Sequence, residues 1–245
     1  MTINLITVTR NEAAQLEETL RSVDSQTLHP DRHIIVDGLS TDDTPRVLER
    51  HARPWREVVG VAPAGVYAAI NSGLELADGD IIGLLHGNDR FTTPDELETI
   101  HRTFEQHPEA DFVFADVRFI RPGDTIDSPA VREYRATDYR REYLLEGFHP
   151  PHPTLYLRRE ALRRLGLYDP SYKICGDYEM WLRIFYQHQM RGIHLPRFMV
   201  TMSTGGLSTR WVNRLTTNIS ERIRALRAHN LPVSPINLIK RFRHS

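Results

Sequence analysis

The chain has 245 residues, a length that suits one large domain or one domain with an appendage and that allows a substantial buried core. Its 31 Lys and Arg residues nearly balance its 32 Asp and Glu residues, so bulk charge gives no argument for a nucleic-acid partner. The single cysteine, Cys175, excludes an intramolecular disulfide framework and favours a reducing compartment such as the cytoplasm.

In the first 120 residues, short runs rich in Ile and Val alternate with stretches whose apolar residues recur at helical spacing. Such alternation predicts βαβ units, and therefore an α/β fold with a largely parallel sheet. The elements predicted here are strand 3–9, helix 12–25, strand 33–37, helix 43–51, strand 58–62, helix 66–76, strand 80–85, a helix beginning at Pro94 and strand 110–120.

The pattern weakens after Pro122. Residues 122–153 contain five prolines and only weak periodicity, which indicates a long excursion or lid. Beyond it, the sequence predicts strand 154–157, helices 159–165 and 176–187, and a basic helical segment from about Val212 onward.

Three acidic residues fall at the carboxyl ends of predicted strands: Asp37, Asp89 and Asp116. In open α/β sheets ligands bind at these ends, because loop amides and helix N-termini converge there. Asp37 precedes the turn "GLSTDD" and is suited to contact a base or a ribose. The alternative is that its carboxylate only shapes the turn.

Asp89 ends the stretch "DIIGLLHGND". A carboxylate on a turn at a strand end is a good oxygen ligand for Mg²⁺ or Mn²⁺, which usually takes one or two protein carboxylates together with substrate phosphates. The alternative is a plain turn, since Gly, Asn and Asp are the commonest turn residues.

Asp177 lies at the start of the predicted amphipathic helix 176–187. It could cap that helix, or it could act as a general base if it faces a cavity. Glu179 is about 200° away around the helix, so the two carboxylates cannot face the same site.

Other chemistries have weaker signals. The chain lacks the glycine-rich motifs of dinucleotide-binding folds and of phosphate-binding loops. His149 and His152 have a His-x-x-His spacing, but the surrounding prolines place them on an extended loop without further ligands, so we expect no zinc site. Cys175 has no paired histidine nearby and is expected to be a small packed residue.

Four stretches in order carry a family resemblance: "ITVTRNEAAQLEETLRSVDSQT", "HIIVDGLSTDDT", "GVYAAINSGLELADGDIIGLLHGND" and "HPTLYLRREALRRLGLYDPSYKICGDYEMWLRI". Over residues 3–208 the chain resembles the family-2 inverting glycosyltransferases of the GT-A fold, especially bacterial polysaccharide-assembly enzymes of the colanic-acid type. The resemblance implies a Rossmann-like mixed sheet flanked by helices. It also implies transfer of a sugar from a UDP-, GDP- or dTDP-sugar to a glycan or lipid-linked acceptor, with inversion and with Mn²⁺ or Mg²⁺ on the diphosphate.

The resemblance assigns donor contacts as well. Arg10 stands where the family usually has Tyr, so its guanidinium plane would replace a stacking ring. Gly38 stands at the second acid of the family's Asp-Asp-Gly-Ser stretch, and Ala62-Pro-Ala lacks the usual acid and Lys ahead of Gly65. The residues that match donor-binding positions are Thr9, Arg10, Asn11, Asp37, Gly65, Tyr67, Asn71 and Asn88.

Further positions match the reacting centre and the acceptor side. Asp89 matches the metal-binding acid, with Asn88 in place of the first acid of that motif. Asp177 matches the catalytic base, which would take the acceptor's proton on the face opposite the leaving group. His152 matches an acceptor-side position. Asp116 matches a position that contacts the acceptor or the donor sugar, with a purely structural role equally open.

By the same resemblance, residues 1–210 form the glycosyltransferase domain, with a nucleotide-binding half (1–120) and an acceptor-side half (121–210). Residues 211–245 form a basic helical extension. Arg210 and Trp211 match the end of a motif of processive members, but Leu207 replaces its Gln, which predicts a single addition per acceptor.

The C-terminal tail "NLIKRFRHS" interleaves apolar and basic residues: Leu238, Ile239 and Phe242 with Lys240, Arg241 and Arg243. This pattern could rest on an anionic membrane surface at the inner face of the cell membrane. The alternatives are a basic terminus without a partner and an oligomer contact. The sequence has neither a signal-peptide pattern nor an apolar run long enough to span a membrane, so we expect a cytoplasmic protein.

One alternative function remains open at this stage. A catalytically silent module that binds sugar nucleotides or glycans could keep the same fold, and the eroded metal motif would suit it. Asp177 distinguishes the two, because a binding module has no need of a base at the start of that helix.

Overall fold

The computed structural model describes residues 1–137, 139–204, 213–234 and 238, with residues 213–215 as backbone only. In the described residues the strands are β1 (Ile3–Thr9), β2 (Arg32–Asp37), β3 (Arg56–Gly60), β4 (Ile81–Leu84), β5 (Asp89–Phe91), β6 (Phe112–Ile120), β7 (Arg132–Tyr134), β8 (Tyr156–Arg158) and β9 (Gly192–Ser203). The helices are α1 (Ala13–Asp24), α2 (Thr44–Arg50), α3 (Val66–Leu76), α4 (Glu96–Gln106), α5 (Arg159–Leu165), α6 (Gly176–Leu182) and α7 (Asn213–Ala228).

The first half of the molecule is the predicted parallel sheet. β1 pairs in parallel with β2 and with β4, and β2 pairs in parallel with β3. β1 and β4 are buried along their whole length, as expected for strands covered on both faces. The carboxyl ends of these strands therefore meet at one edge, and the loops that follow Thr9, Asp37 and Leu84 share that edge.

The second half completes a mixed sheet in the order β3-β2-β1-β4-β8-β6-β9-β5, with β7 beside β6. β8 runs antiparallel to both β4 and β6, whereas β9 runs parallel to β6 and antiparallel to β5. The sequence interpretation missed β5, β7 and β9. Pro196 in the middle of β9 argues against a central strand, and the structure accommodates it by a register shift opposite Ala115 and Asp116.

Apolar side chains pack on both faces of the sheet. Along β1, Ile3 and Leu5 point into one core, while Ile6 and Val8 point into the other, as strand alternation requires. The larger core contains Trp181 of α6. Three side chains from the C-terminal part of the chain also pack in this core: Ala225, Leu226 and Leu238. The described part of the segment predicted as an extension thus packs into the core of the main domain.

The helix predicted over residues 176–187 is α-helical to Leu182 and continues as a wider turn through Arg183–Gln187. The predicted excursion carries short 3₁₀ turns at Arg141–Glu146 and His152–Thr154, besides β7. In the part of the chain that the structure describes, no helix combines the length and the apolar character needed to cross a membrane.

Gly83 of β4 is a close-contact position. It lies opposite Tyr156 of β8, and a Cβ at Gly83 would come within 2.0 Å of the buried Tyr156 ring. We predict that Gly83→Ala lowers the free energy of unfolding by about 2 kcal/mol, because the ring must move within a packed core. Urea denaturation would measure this. Gly60→Ala is the control: its Cβ would meet only the exposed Leu39 side chain, at 3.2 Å, and equal losses in both variants would contradict the argument.

Candidate active site

The loops after β1 and β2 are tied to each other by side chains. The Asn11 backbone N–H donates to Ser40 Oγ at 2.9 Å, and the Thr41 N–H donates to Asn11 Oδ1 at 2.8 Å. The Ser40 hydroxyl donates to Asp37 at 2.5 Å, and the Ser40 N–H lies 3.1 Å from the other Asp37 oxygen. The Asp37 carboxylate therefore shapes its turn. It also lies next to Thr9 at the edge of the sheet.

A cavity of about 220 Å³ opens beside these loops, between the end of β1 and the start of α3. Its walls include Arg10, Gly38, Gly65 and the apolar run 61–64. A Cβ on Gly38 would lie 3.0 Å from Cδ of Arg10, so the glycine makes room for the arginine side chain. Gly65 has a φ of 100°, a conformation that favours glycine, at the point where α3 begins. Arg10, Gly38 and Gly65 thus line the same cavity.

Asp89 does not line this cavity. It is the first residue of β5 and pairs with Met202 of β9, and its side chain is completely buried. Neither carboxylate oxygen has a hydrogen-bond partner among the described residues. Burial raises the pKa of Asp89 to about 8, and the nearby Glu12 carboxylate adds to the shift. Asp89 is therefore mainly protonated at neutral pH.

Asn88, rather than Asp89, faces open space. It is half-buried and lines a cavity of about 560 Å³ together with Glu12 and Arg90. Arg90 is held there by a hydrogen bond from Nη1 to the Asp124 carbonyl at 3.2 Å. At the end of the fourth predicted strand, an amide occupies the accessible position and the carboxylate occupies the core.

Asp89 as placed does not fit the predicted divalent metal. Such an ion needs an anionic oxygen that can also reach substrate phosphates, whereas the Asp89 side chain is completely buried and does not line the cavity that Asn88 lines. Within the described ranges, no group of three His, Cys, Asp or Glu side chains is arranged to hold a metal ion. The unpredicted pairing of β5 with β9 is the physical reason, since it draws Asp89 into the sheet.

Asp177 occupies a different environment, on the first turn of α6. Its side chain is 23% exposed, and Oδ1 accepts the backbone N–H of Tyr178 at 2.7 Å. The hydroxyl of Tyr67 lies 3.5 Å from Oδ1 and donates to the Ile174 carbonyl at 2.7 Å. A Cβ on Gly176 would come within 2.7 Å of the Tyr67 ring, so glycine at 176 lets the tyrosine pack beside Asp177.

Histidines surround the other side of Asp177. Its Oδ2 lies 3.7 Å from Nε2 of His149, and the rings of His86 and His152 stack with centroids 5.8 Å apart. Burial lowers the pKa of His86 to about 4, helped by His152, and burial also lowers the pKa of His152. These two histidines are therefore neutral at pH 7.

The surroundings of Asp177 favour its ionised form. Burial alone would raise its pKa, but the protonated forms of His149 and His152, together with Arg222, hold the pKa of Asp177 below its ordinary value. Glu179 points elsewhere, to Arg183 at 2.9 Å and to His229 at 3.0 Å. The prediction that the two acids of this helix do not share a site is confirmed. An ionised, partly exposed carboxylate can accept a proton.

Other predicted site residues have structural partners. Asn71 brackets the backbone of Tyr168, donating to its carbonyl at 2.8 Å and accepting its N–H at 2.9 Å. Tyr67, predicted to contact the donor, lies beside Asp177 and does not line the cavity between β1 and α3. His152 Nε2 lies 2.5 Å from the Tyr168 hydroxyl.

Asp116 is completely buried, and its Oδ1 accepts the Ala136 N–H at 2.7 Å and contacts His194 Nε2 at 2.8 Å. In this position Asp116 anchors the excursion to the sheet, so an acceptor contact would require the excursion to move.

The sequence interpretation missed three groups at this site. The sequence predicts no binding or catalytic role for His86, and it raises His149 only as a zinc ligand. Arg222 lies 45 residues beyond Asp177, and nothing in the local pattern of α7 pointed to it. The run "FHPPHP" offered a signal for His149, because prolines fix the direction of the backbone on either side.

Two predictions fall on parts of the chain that the structure does not describe. Leu207, Arg210 and Trp211, on which single addition depends, lie outside the described residues, as do residues 239–243 of the tail. Leu238 is described, and it is buried in the larger core.

Comparisons with known proteins agree on one family. The profile described as Glycosyl transferase family 2 matches residues 5–166. A PGL/p-HBAD biosynthesis glycosyltransferase of Mycobacterium bovis is 29% identical over 185 residues, which cover 74% of this chain and 69% of that protein. An uncharacterized glycosyltransferase of Mycobacterium tuberculosis is 26% identical over 184 residues, which cover 74% and 68%.

Solved structures share the fold. The S. aureus TarS 1–349 structure in complex with UDP superposes with a TM-score of 0.70 at 17% identity, covering 97% of this chain and 68% of that one. The mannosyltransferase PcManGT from Pyrobaculum calidifontis, in complex with GDP-Man and Mn²⁺, gives a TM-score of 0.63 at 22% identity, covering 91% and 64%. The predicted GT-A fold is confirmed.

The buried Asp89 predicts a pH dependence of stability. The folded protein holds the Asp89 proton more tightly than the unfolded chain. The contribution of Asp89 to the free energy of unfolding is therefore fully present below the unfolded pKa of 3.8 and is lost as pH rises toward 8. Asp89→Asn, neutral at every pH, should escape this loss. We expect the variant to gain at least about 1 kcal/mol relative to the native protein between pH 5 and pH 8, measured by urea unfolding. Asp43→Asn, at an exposed position, is the control. If the stability of the native protein, Asp89→Asn and Asp43→Asn changes with pH in the same way, Asp89 does not titrate as a buried acid.

Proposed function

The chain belongs to glycosyl transferase family 2, and from that premise we propose that it transfers a sugar from a nucleoside-diphosphate donor to an acceptor hydroxyl with inversion, using Asp177 as general base. The observation that carries this proposal is the partly exposed Asp177 carboxylate on the first turn of α6, with His149 Nε2 3.7 Å from its Oδ2 and with a pKa held below its ordinary value. The relatives named above are glycosyltransferases, and the structural neighbours hold UDP, UDP-GlcNAc or GDP-Man.

The donor's nucleoside is proposed to bind in the cavity between the end of β1 and the start of α3. Apolar backbone-rich walls at residues 61–64 and the Arg10 side chain suit a flat base, because a guanidinium plane stacks on aromatic faces. Asn11 and Asp37 hold the two loops that form one wall. UDP-, GDP- and dTDP-sugars are the candidate donors.

The proposed chemical step is a single displacement at the anomeric carbon. The acceptor oxygen forms the new bond as the bond to the diphosphate breaks, and the acceptor's proton passes to Oδ2 of Asp177. Inversion requires the base on the face opposite the leaving group. Because Oδ1 is already bonded to the Tyr178 N–H, Oδ2 is the oxygen assigned to the proton.

No step of this reaction is assigned to a divalent ion. Dependence on Mn²⁺ or Mg²⁺ stays a prediction from the family resemblance. The PcManGT structure, which contains Mn²⁺, supports it. The Asp89 carboxylate does not fit as the ligand, so a metal ion would have to be held mainly by the donor diphosphate and by groups other than Asp89.

The acceptor is proposed to be a glycan or a lipid-linked sugar in the assembly of a surface polysaccharide or a glycolipid. The M. bovis relative is named for a role in PGL/p-HBAD biosynthesis. Peripheral contact with the inner face of the cell membrane remains a prediction, and since Leu238 is buried, it would have to rest on the other residues of the tail.

A silent module that binds sugar nucleotides or glycans is the second candidate. The amide of Asn88 in the open cavity, where an acid would be expected, favours it. The environment of Asp177 favours the enzyme, because binding alone needs no ionised carboxylate there.

Asp177→Asn tests the base. We expect transfer to fall at least about 100-fold, because the amide cannot accept the proton, while donor affinity changes by less than about twofold. Transfer would be followed by product formation, and donor binding by calorimetry. Asp169→Asn, an exposed acid ahead of the same helix, should be near normal. Near-normal transfer by Asp177→Asn would refute the assignment.

A donor screen tests the function as a whole. We expect one of UDP-, GDP- or dTDP-sugars to raise the Tm, equivalent to about 2.7 kcal/mol at a concentration 100 times the Kd. Arg10→Ala should remove most of this shift, whereas Asp177→Asn should keep it. The screen would be run with and without Mn²⁺. If no sugar nucleotide stabilises the protein, the transferase proposal fails.

A further inference from the structure

The backbone that leads into α6 is capped by a residue from α7. Glu221 accepts three backbone N–H groups: Lys173 at 2.8 Å, Ile174 at 3.0 Å and Cys175 at 2.9 Å. Cys175, the residue just before α6, makes no side-chain cap of its own. Glu221 is 8% exposed, and a carboxylate that accepts several N–H groups in such a place is a strong, directional restraint. Asp177 follows two residues after the last of these amides.

The next residue of α7, Arg222, reaches the other side of Asp177. It is 3% exposed and donates from Nη1 to the Gly147 carbonyl at 2.9 Å and from Nε to Asn218 at 2.8 Å. Its guanidinium carbon lies 4.3 Å from the ring centroid of Tyr178, and Nη2 lies 3.5 Å from Nε2 of His149. Arg222 thus packs against the residue after Asp177 and against the nearest histidine.

The contacts of His149 define its tautomer. Nδ1 lies 2.9 Å from the Pro150 carbonyl, and because a carbonyl only accepts, Nδ1 carries the proton. In the neutral ring Nε2 is then an acceptor, which suits the donating Nη2 of Arg222. In that neutral form Nε2 has no proton to give to Asp177, and Oδ2 stays open to a proton from elsewhere.

We propose that Glu221 and Arg222 are positioning residues for Asp177: Glu221 fixes the backbone that aims the carboxylate, and Arg222 holds His149 in the tautomer that leaves Oδ2 open. This inference rests on the proposed role of Asp177 as base. By this inference α7 belongs to the active site. The sequence did not predict such a role for the C-terminal segment, and the family profile ends before it, at residue 166.

The groups around Asp177 come from several elements, so the effect of Arg222 has to be separated from theirs. Besides Arg222, the titratable groups that face Asp177 are Tyr67 of α3, His86 after β4, His149 and His152 of the excursion, and Tyr168. Substitution of Arg222 leaves all of these in place.

Kinetics of Glu221→Gln and Arg222→Gln form the first test. We expect kcat to fall about tenfold in each, with the donor KM changed less than about twofold, because neither residue lines the donor cavity. In Arg222→Gln the acid limb of the kcat/KM profile should also move to higher pH, since a cation near the base is lost. Arg222→Lys should recover part of the activity. Arg227→Gln, exposed on the same helix, should behave as the native protein.

A second readout does not depend on transfer. Hydrogen exchange should show faster exchange of the 173–175 amides in Glu221→Gln, and nitrogen NMR should show that His149 loses its preference for the Nδ1-protonated tautomer in Arg222→Gln. Should the Gln variants fail to fold, Glu221→Asp and Arg222→Lys provide the same comparison with a smaller change.

The outcomes separate the two proposals. A native protein that is inactive with every sugar nucleotide overturns the proposed function, and the exchange and NMR data then decide whether Asp177 is positioned by α7. Unchanged exchange, tautomer, kcat and pH profile in the folded variants overturn the positioning role even if the native protein transfers sugar.

Discussion

Strand β9 is the constraint on which the rest of the structure depends. It pairs in parallel with β6 and antiparallel with β5, so one twelve-residue strand closes the second half of the sheet. This pairing draws Asp89 into the core and brings His194 to Asp116, which in turn anchors the excursion at Ala136. The excursion carries His149 to Asp177. Backbone pairing far from the chemistry thereby determines which side chains reach it.

Two carboxylates show how far burial and partners separate residues of the same type. Asp89 is enclosed without a hydrogen-bond partner in the described residues, and its pKa rises to about 8. Asp177 is also largely enclosed, but a backbone N–H, two histidines and Arg222 surround it, and its pKa falls below the ordinary value. Only the second can serve as a base at neutral pH. Their roles could not be told apart by residue type.

The C-terminal helix joins the fold and the site. Ala225 and Leu226 of α7 pack in the larger core, while Glu221 and Arg222 on the same helix bind the backbone around α6 and the excursion. The matched family profile ends at residue 166, before Asp177 and Arg222, although His86, His149 and His152 lie within it. The likeness to solved structures nevertheless covers 97% of the chain, which indicates that the fold extends beyond the recognisable motifs.

The sequence by itself determined the parallel half of the sheet, the loops at its carboxyl edge and the place of Asp177 at the start of α6. These features depend on local patterns: apolar runs for buried strands, helical spacing for helices, and polar residues where strands end. Thr9 lies opposite Asp37, because parallel neighbours in register bring their carboxyl ends together.

Only the tertiary structure decided which acid is accessible and what surrounds the other. Because Pro196 interrupts β9, the alternation of polar and apolar residues does not predict this strand. Without β9, nothing in "LLHGNDRF" distinguishes an exposed Asp89 from a buried one. Glu221 and Arg222 lie more than 40 residues from Asp177, and contacts at such separations leave no periodic trace in the sequence. Local propensity sets the elements, whereas the pKa of a carboxylate depends on what long-range packing places around it.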